Sequence, residues 1–188
     1  MKTKTLKFNL QRFASVNPLD THLANYEVFI DGKRSLGTAE VTLPNFEYMV
    51  TTLKGAGVAG ELDVPTVAHF SNLELTLKWL AVNAKAFELL PPKGLKLALY
   101  GAQQQIDTAT GNYQIIQNKI EVTGLPKNLN LGKMTPADVM DTETVISLLT
   151  LKETLNKKVI LEYDKLNWVF RINGTDYAAE LKSALGSI

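Results

Sequence analysis

Residues 55–65 read GAGVAGELDVP, and the fold turns on how this stretch is taken. Gly55, Gly57 and Gly60 reproduce G-x-G-x-x-G, the dinucleotide-binding fingerprint. As a phosphate cradle the pattern needs a strand before it, a helix opening on it and an acidic residue about 20 positions on. Pro65 follows the last glycine closely; it would remove a helical hydrogen bond and clash with the preceding turn. It also biases Val64 towards an extended conformation. Further on, LELTLKW (Leu73–Trp79) offers Glu74 as its only carboxylate. Without a helix N-terminus the source of phosphate affinity is missing, so no NAD and no other cofactor is expected. The glycines need another reason.

The rest of the chain has a period of two. LELTLKW places Leu73, Leu75, Leu77 and Trp79 on one face and Glu74, Thr76 and Lys78 on the other, the pattern of a half-buried strand. GLKLALY repeats it with Leu95, Leu97 and Leu99, VILEYD with Val159, Leu161 and Tyr163, WVFRI with Trp168, Phe170 and Ile172, and NKIEVTG with Ile120 and Val122. TVISLLTLKET is apolar on both faces in its middle, which predicts a strand covered on both sides. Asp31-Gly32 is a type I′ hairpin signal. DTATGN (Asp107–Asn112) and LNKK (Leu155–Lys158) supply further short connections. Successive antiparallel strands predict a mainly β protein of two antiparallel sheets forming a sandwich or barrel.

Helices are few. VNAKAFELL has Asn83 as a cap and stops at Pro91-Pro92. DYAAELKSALG has Asp176 near its start and Gly186 past its end. These are ordinary start and stop signals. MTPADVM starts like a helix but leads into a strand pattern, which allows one turn at most.

The 188 residues fit one domain of about 100–200, and 45% hydrophobic composition can supply a core. The net charge of +1, from 20 basic and 19 acidic residues, argues against strong general affinity for nucleic acid. The lack of cysteine excludes disulfides, thiolate zinc sites and a cysteine nucleophile. No apolar run approaches the about 18 residues of a membrane span, so no membrane insertion is expected. The N-terminal residues do not resemble a secretory signal; a soluble intracellular protein is the simplest expectation.

Catalytic chemistry is thin. His22 and His69 lack ligand-spaced neighbours, and there is no G-x-S-x-G or P-loop. Trp79 and Trp168 read as core residues. Asp138, Asp141 and Glu143 cluster without EF-hand spacing; they form either a solvated loop or a surface facing an anionic partner. No catalytic, cofactor or metal site is expected, and the chain is not read as an enzyme.

Two segments stand outside the strand pattern. The first is a leader over residues 1–18, in which Leu6, Phe8 and Leu10 alternate with Lys7, Asn9 and Gln11; it is either an arm that adds to a neighbour's sheet or a tail. The second, within a single domain over residues 19–188, is Lys54, Gly55, Ala56, Gly57, Val58, Ala59, Gly60, Glu61, Leu62, Asp63, Val64, Pro65, Thr66, Val67, Ala68 and His69. It reads as a long loop, and such loops are usually functional or disordered. Disorder favours polar composition, whereas this segment carries Val58, Leu62, Val64 and Val67. It is expected to wait for a partner.

Several motifs in order carry a resemblance. These are Val41-Thr42-Leu43-Pro44, Lys54-Gly55-Ala56-Gly57, the strand Leu73–Trp79, Asp141–Thr144 leading into a strand, and the ending YDKLNWVFRINGTDY (Tyr163–Tyr177). Over about residues 20–188 the chain resembles the major tail tube proteins of contractile-tailed bacteriophages and related phage tail-like particles. LKFNLQRFA (Leu6–Ala14) is similar to openings common among structural proteins of phages of Gram-positive hosts. The resemblance implies homo-hexameric rings with a continuous inner β-barrel, stacked into a tube that conducts DNA into the host. It implies tail sheath, baseplate and tail terminator proteins as partners, a tape measure protein or DNA in the lumen, and a place in the virion tail after assembly in the host cytoplasm. The tube of a headless tail-like bacteriocin or injection system is the alternative. A monomeric β-sandwich binding module would explain the strands but not the apolar segment, and would call for exposed aromatics that are not obvious here.

Overall fold

The structure, a computed structural model, describes residues 18–186 apart from 36, 37, 56 and 58; Leu6, Phe8, Leu10, Ala56 and Val58 therefore lie outside the described residues. The strand read from LELTLKW is β6 (Glu74–Trp79). Leu75, Leu77 and Trp79 are fully buried, while Glu74, Thr76 and Lys78 on the opposite face are half-exposed. One edge of β6 pairs with β3 (Thr38–Thr42) and the other with β9 (Thr142–Leu155), both antiparallel.

The long strand β9 is where the sheet forks. Its first half, Thr142–Ser147, pairs with β6, and its second half, Thr150–Leu155, pairs with β10 (Lys158–Asp164). Its other edge pairs along its length with β8 (Tyr113–Asn130). From β8 the sheet runs through β7 (Leu95–Asp107) and β1 (Pro18–Ile30) to β2 (Lys33–Ser35). From β10 it runs through β11 (Val169–Ile172) to β12 (Thr175–Asp176). The result is one ten-stranded antiparallel sheet. At the fork the β8–β9 ladder shifts register at Thr123/Gly124 and again at Pro126/Asn128. Such bulges bend and twist a sheet. A side chain at Gly124 would put its Cβ 2.5 Å from the Ser147 carbonyl oxygen, so the two strands approach this closely only around a glycine. Residues of the different arms meet in one core, including Val28, Leu77, Trp79, Leu97, Val122 and Ile146.

The mainly β architecture with antiparallel strands and two short helices follows the expectation. The expected barrel does not: among the described residues the sheet stays open, ending at β2, β3 and β12. Nor is β9 covered on both sides. Thr142, Thr144, Ile146, Leu148 and Leu151 are buried, but Val145, Ser147 and Leu149 are only half-covered.

Local chemistry fixes the ends. Asp31 and Gly32 take φ of +47° and +77°, and Asn156 and Lys157 +46° and +67°, consistent with type I′ turns that match the twist of their strands. The helix α1 (Ala84–Glu88) starts at Asn83, whose side-chain oxygen accepts from the Ala86 N–H at 3.1 Å. Before α2 (Ala179–Ala184), the Asp176 carboxylate accepts from the Ala178 N–H at 3.0 Å. The MTPADVM segment makes only a turn. Trp168 departs from the expected core position. It lies in the turn before β11 with φ +51° and is 37% exposed. The Asp164 carboxylate accepts from the backbone N–H groups of Leu166 and Asn167, and this turn delays the strand by one residue.

Candidate functional site

Residues 48–70 form a separate two-stranded sheet, β4 (Tyr48–Lys54) with β5 (Glu61–Phe70). This corrects the reading of Lys54–His69 as a loop. Only its glycine-rich start is a connection; the rest is the return strand of a hairpin. Pro65 permits this because each strand of a two-stranded ribbon has a free edge, where a missing N–H does no harm. The same geometry disposes of the fingerprint, since a strand rather than a helix follows Gly60. Gly57 and Gly60 have φ of +98° and +114°, backbone that glycine adopts without strain.

The whole of β4 and Glu61–Val67 of β5 are exposed. The register pairs Val50 with Pro65, Thr52 with Asp63 and Lys54 with Glu61, and, between these, Thr51 with Val64 and Leu53 with Leu62. Directly opposed residues share a face and successive residues alternate, so the ribbon is two-faced. One face carries the Lys54–Glu61 ion pair at 2.7 Å and a hydrogen bond from the Thr52 hydroxyl to Asp63 at 2.7 Å. The other carries Leu53, Leu62 and Val64, 47%, 51% and 39% exposed, with the hydroxyls of Thr51 and Thr66, while Val50 and Pro65 lie on the face of the ion pair. Sequence reasoning found Leu62, Val64 and Val67 but missed the β4 half, because YMVTTLK does not alternate.

The base of the hairpin is anchored by rings. Tyr48 lies 4.6 Å from Phe70 between centroids, and Phe70 lies 4.8 Å from Phe170 and 5.6 Å from Tyr163. Between Tyr48↔Phe70 and Val50↔Pro65 the ladder skips, and Ala68 takes φ +56° in the resulting bulge. His69 sits there edge-on to Trp168 at 5.2 Å, an ordinary packing role.

The acidic residues are not one unpaired patch. The Lys133 ammonium lies 3.1 Å from Asp138 and 3.2 Å from Asp141, and sequence reasoning had left Lys133 out. Glu143 stands on β9 between Lys78 and Asn130 in register. The Lys133 contact, followed by the Val139 N–H, holds the Asp138 carboxyl below its ordinary value. A depressed carboxyl contributes stability that is present above the unfolded pKa and is lost as pH falls through the folded one. In Lys133→Met the Asp138 carboxyl is expected to titrate closer to the ordinary range, as read by carboxyl NMR; an unchanged titration would refute the pairing.

An open antiparallel sheet with a projecting, two-faced hairpin defines a β protein built to associate. The family described as Phage tail tube protein FII matches residues 20–186, and the chain belongs to that family. It is 24% identical over 168 residues to the tail tube protein of Escherichia phage P2, covering 85% of this chain and 93% of that one. The family expected from the motifs is the family found, and a structural component of the phage tail agrees with the non-enzymatic reading.

Proposed function

We infer that this chain builds the inner tube of a contractile tail, as hexameric rings that stack and conduct DNA. The observation that carries this is the exposed apolar face of the β4–β5 hairpin, which has no use in a lone domain and suits a neighbouring subunit or ring. Two free edges support closure. β1 pairs with β2 only from Val28 to Ile30, which leaves its earlier outer edge open among the described residues. β8 meets β9 only from Asn118 onwards, with the Gln117 carbonyl accepting from the Asn156 N–H at 2.8 Å, which leaves residues 113–116 open on that side among the described residues. The edges flank the same β1–β7–β8 segment, so head-to-tail pairing of copies would extend one sheet around a ring. A heterologous contact that closes gives a ring, and one that does not gives a stack; pairing also removes the hazard of an open edge.

In this reading the residue 1–18 arm adds to a neighbour. Asp138, Asp141 and Glu143, partly offset by Lys133, belong to a wall without strong basic attraction for DNA. Assembly occurs in the host cytoplasm, and the tube meets sheath, baseplate and terminator proteins outside and tape measure protein or DNA within. Negative-stain microscopy of the purified chain is expected to show hollow rings or tubes; a strictly monomeric chain at high concentration would favour a binding module instead.

Gly57→Val tests the hairpin tip. A Cβ there meets nothing within 4 Å, so the cost is backbone strain at φ +98°, of order 1–3 kcal/mol. The exposed tip can relieve that strain by opening locally without disturbing the core, so calorimetry should show a nearly unchanged melting temperature for the domain, while the yield of tubes in sedimentation falls several-fold. Tubes at wild-type yield would overturn this role for the tip.

A further inference from the structure

A small pocket opens where β1, β3, β7 and β8 come together. It has a volume of about 120 Å³ and is lined by Leu23, Tyr26, Val41, Leu99, Asn118 and Ile120, with Leu43 at its side. Two observations set it apart from a packing defect. The Tyr26 hydroxyl and the Asn118 side-chain carbonyl oxygen are both buried and have no hydrogen-bond partner among the described residues, although buried polar atoms are almost always paired. Asn118 is held in place by its amide, which donates to Glu153 at 3.0 Å, so its carbonyl oxygen is left over. Burial, with the Glu40 charge second, also pushes the Tyr26 phenol above its ordinary value. Around these atoms the lining is aliphatic, and the adjoining Leu23 and Leu43 are 52% and 50% exposed. The site therefore wants an aliphatic group with a hydroxyl beside it, and its volume is on the scale of a single apolar side chain or small ring.

The hairpin face offers that combination. Leu53 and Thr51 are two residues apart on β4, on the same side of the ribbon, and both are exposed. We propose that the Tyr26–Asn118 pocket of one copy receives Leu53 from the hairpin of a second copy, with the Thr51 hydroxyl set against the two unpaired polar atoms. A hydroxyl donates one hydrogen bond and accepts others, so it donates to the Asn118 oxygen and accepts from the Tyr26 phenol. The contact joins two different surfaces of identical chains and so propagates from copy to copy. It rests on the reading of the hairpin as an assembly element and names the surface that receives it.

The chain has no cysteine, so introduced thiols report without background. Lys54→Cys, next to Leu53 on the ribbon, combined with Leu43→Cys, assembled and treated with a short bis-maleimide, should give a ladder of covalent multimers. Each single variant has one thiol per chain and gives dimers at most. Tyr26→Phe removes a hydroxyl that is unpaired in the lone chain; it should leave the melting temperature unchanged or raised while lowering tube yield several-fold. A group serving only the core would instead lower the melting temperature. Tubes that form normally, give no ladder and tolerate Tyr26→Phe would overturn the pocket assignment and leave the hairpin reading standing. If tubes still form when the hairpin itself is replaced, both readings fail together.

Discussion

Replacing residues 50–67 with a short Gly-Ser linker is expected to abolish tube formation and leave a folded domain. The replacement removes Leu53, Leu62 and Val64, each exposed in the single chain. Buried in a neighbour, each contributes about 1.5–3 kcal/mol before ordering costs. In the proposed assembly several per subunit recur around every ring and outweigh the strand-edge contacts. The fold does not depend on these residues, because the hairpin joins the core only at its base, where Tyr48 and Phe70 meet Phe170 and Tyr163. Both rings of the closing pair, Tyr48 and Phe70, are kept, so a few residues span the gap. Sedimentation should find no fast-moving material and circular dichroism should find an intact β spectrum. Tubes of normal length would remove the hairpin from the assembly, and loss of the β spectrum would show that the core needs it.

The second large effect lies in the core. Trp79→Ala is expected to destabilise the domain by about 3–5 kcal/mol, the usual range for a buried aromatic truncated to alanine. Trp79 is 1% exposed. Its indole N–H donates to the Thr144 hydroxyl at 3.1 Å across the β6–β9 ladder. The substitution therefore opens a void and strips a buried hydroxyl of its partner, and the two costs reinforce each other. Against a total of about 5–15 kcal/mol, chemical denaturation should show a large fall in the midpoint. A loss below about 1 kcal/mol would mean that the surroundings collapse around the void. Trp79→Phe keeps most of the volume and should fall between.

What was legible in the sequence is what a single strand can say about itself. Alternation in Leu73–Trp79 gave the buried face of β6 outright, and Asp31-Gly32 gave its turn. Pairing across the turns at Asp31-Gly32, Asp107–Asn112 and Leu155–Lys158 was legible too, but pairing between distant segments, such as β6 with β9 or β1 with β7, has no local motif. The bulge that lets Ala68 and His69 return to the aromatic base has no motif, so a strand broken by Pro65 looked like a loop. Trp168 fits a strand period but is held back by an Asp164-centred turn. Lys133 is far enough from Asp138 and Asp141 in sequence that only the fold shows them sharing one ammonium. The unpaired atoms of Tyr26 and Asn118 come from strands far apart in the chain.

The hairpin's isolation also bears on when tubes begin. A two-stranded ribbon with both faces in water is only marginally stable by itself, so in the proposed assembly docking also has to suppress the opening that such a ribbon undergoes in a free subunit. That ordering cost is charged against the first contact between two chains, where little else is gained. In the proposed tube a subunit arriving at the rim of a ring meets several surfaces at once, and the same cost is spread over all of them. Nucleation is then slow and elongation fast. Concentrated subunits are expected to stay dispersed through a lag that a preformed seed abolishes, as light scattering would read.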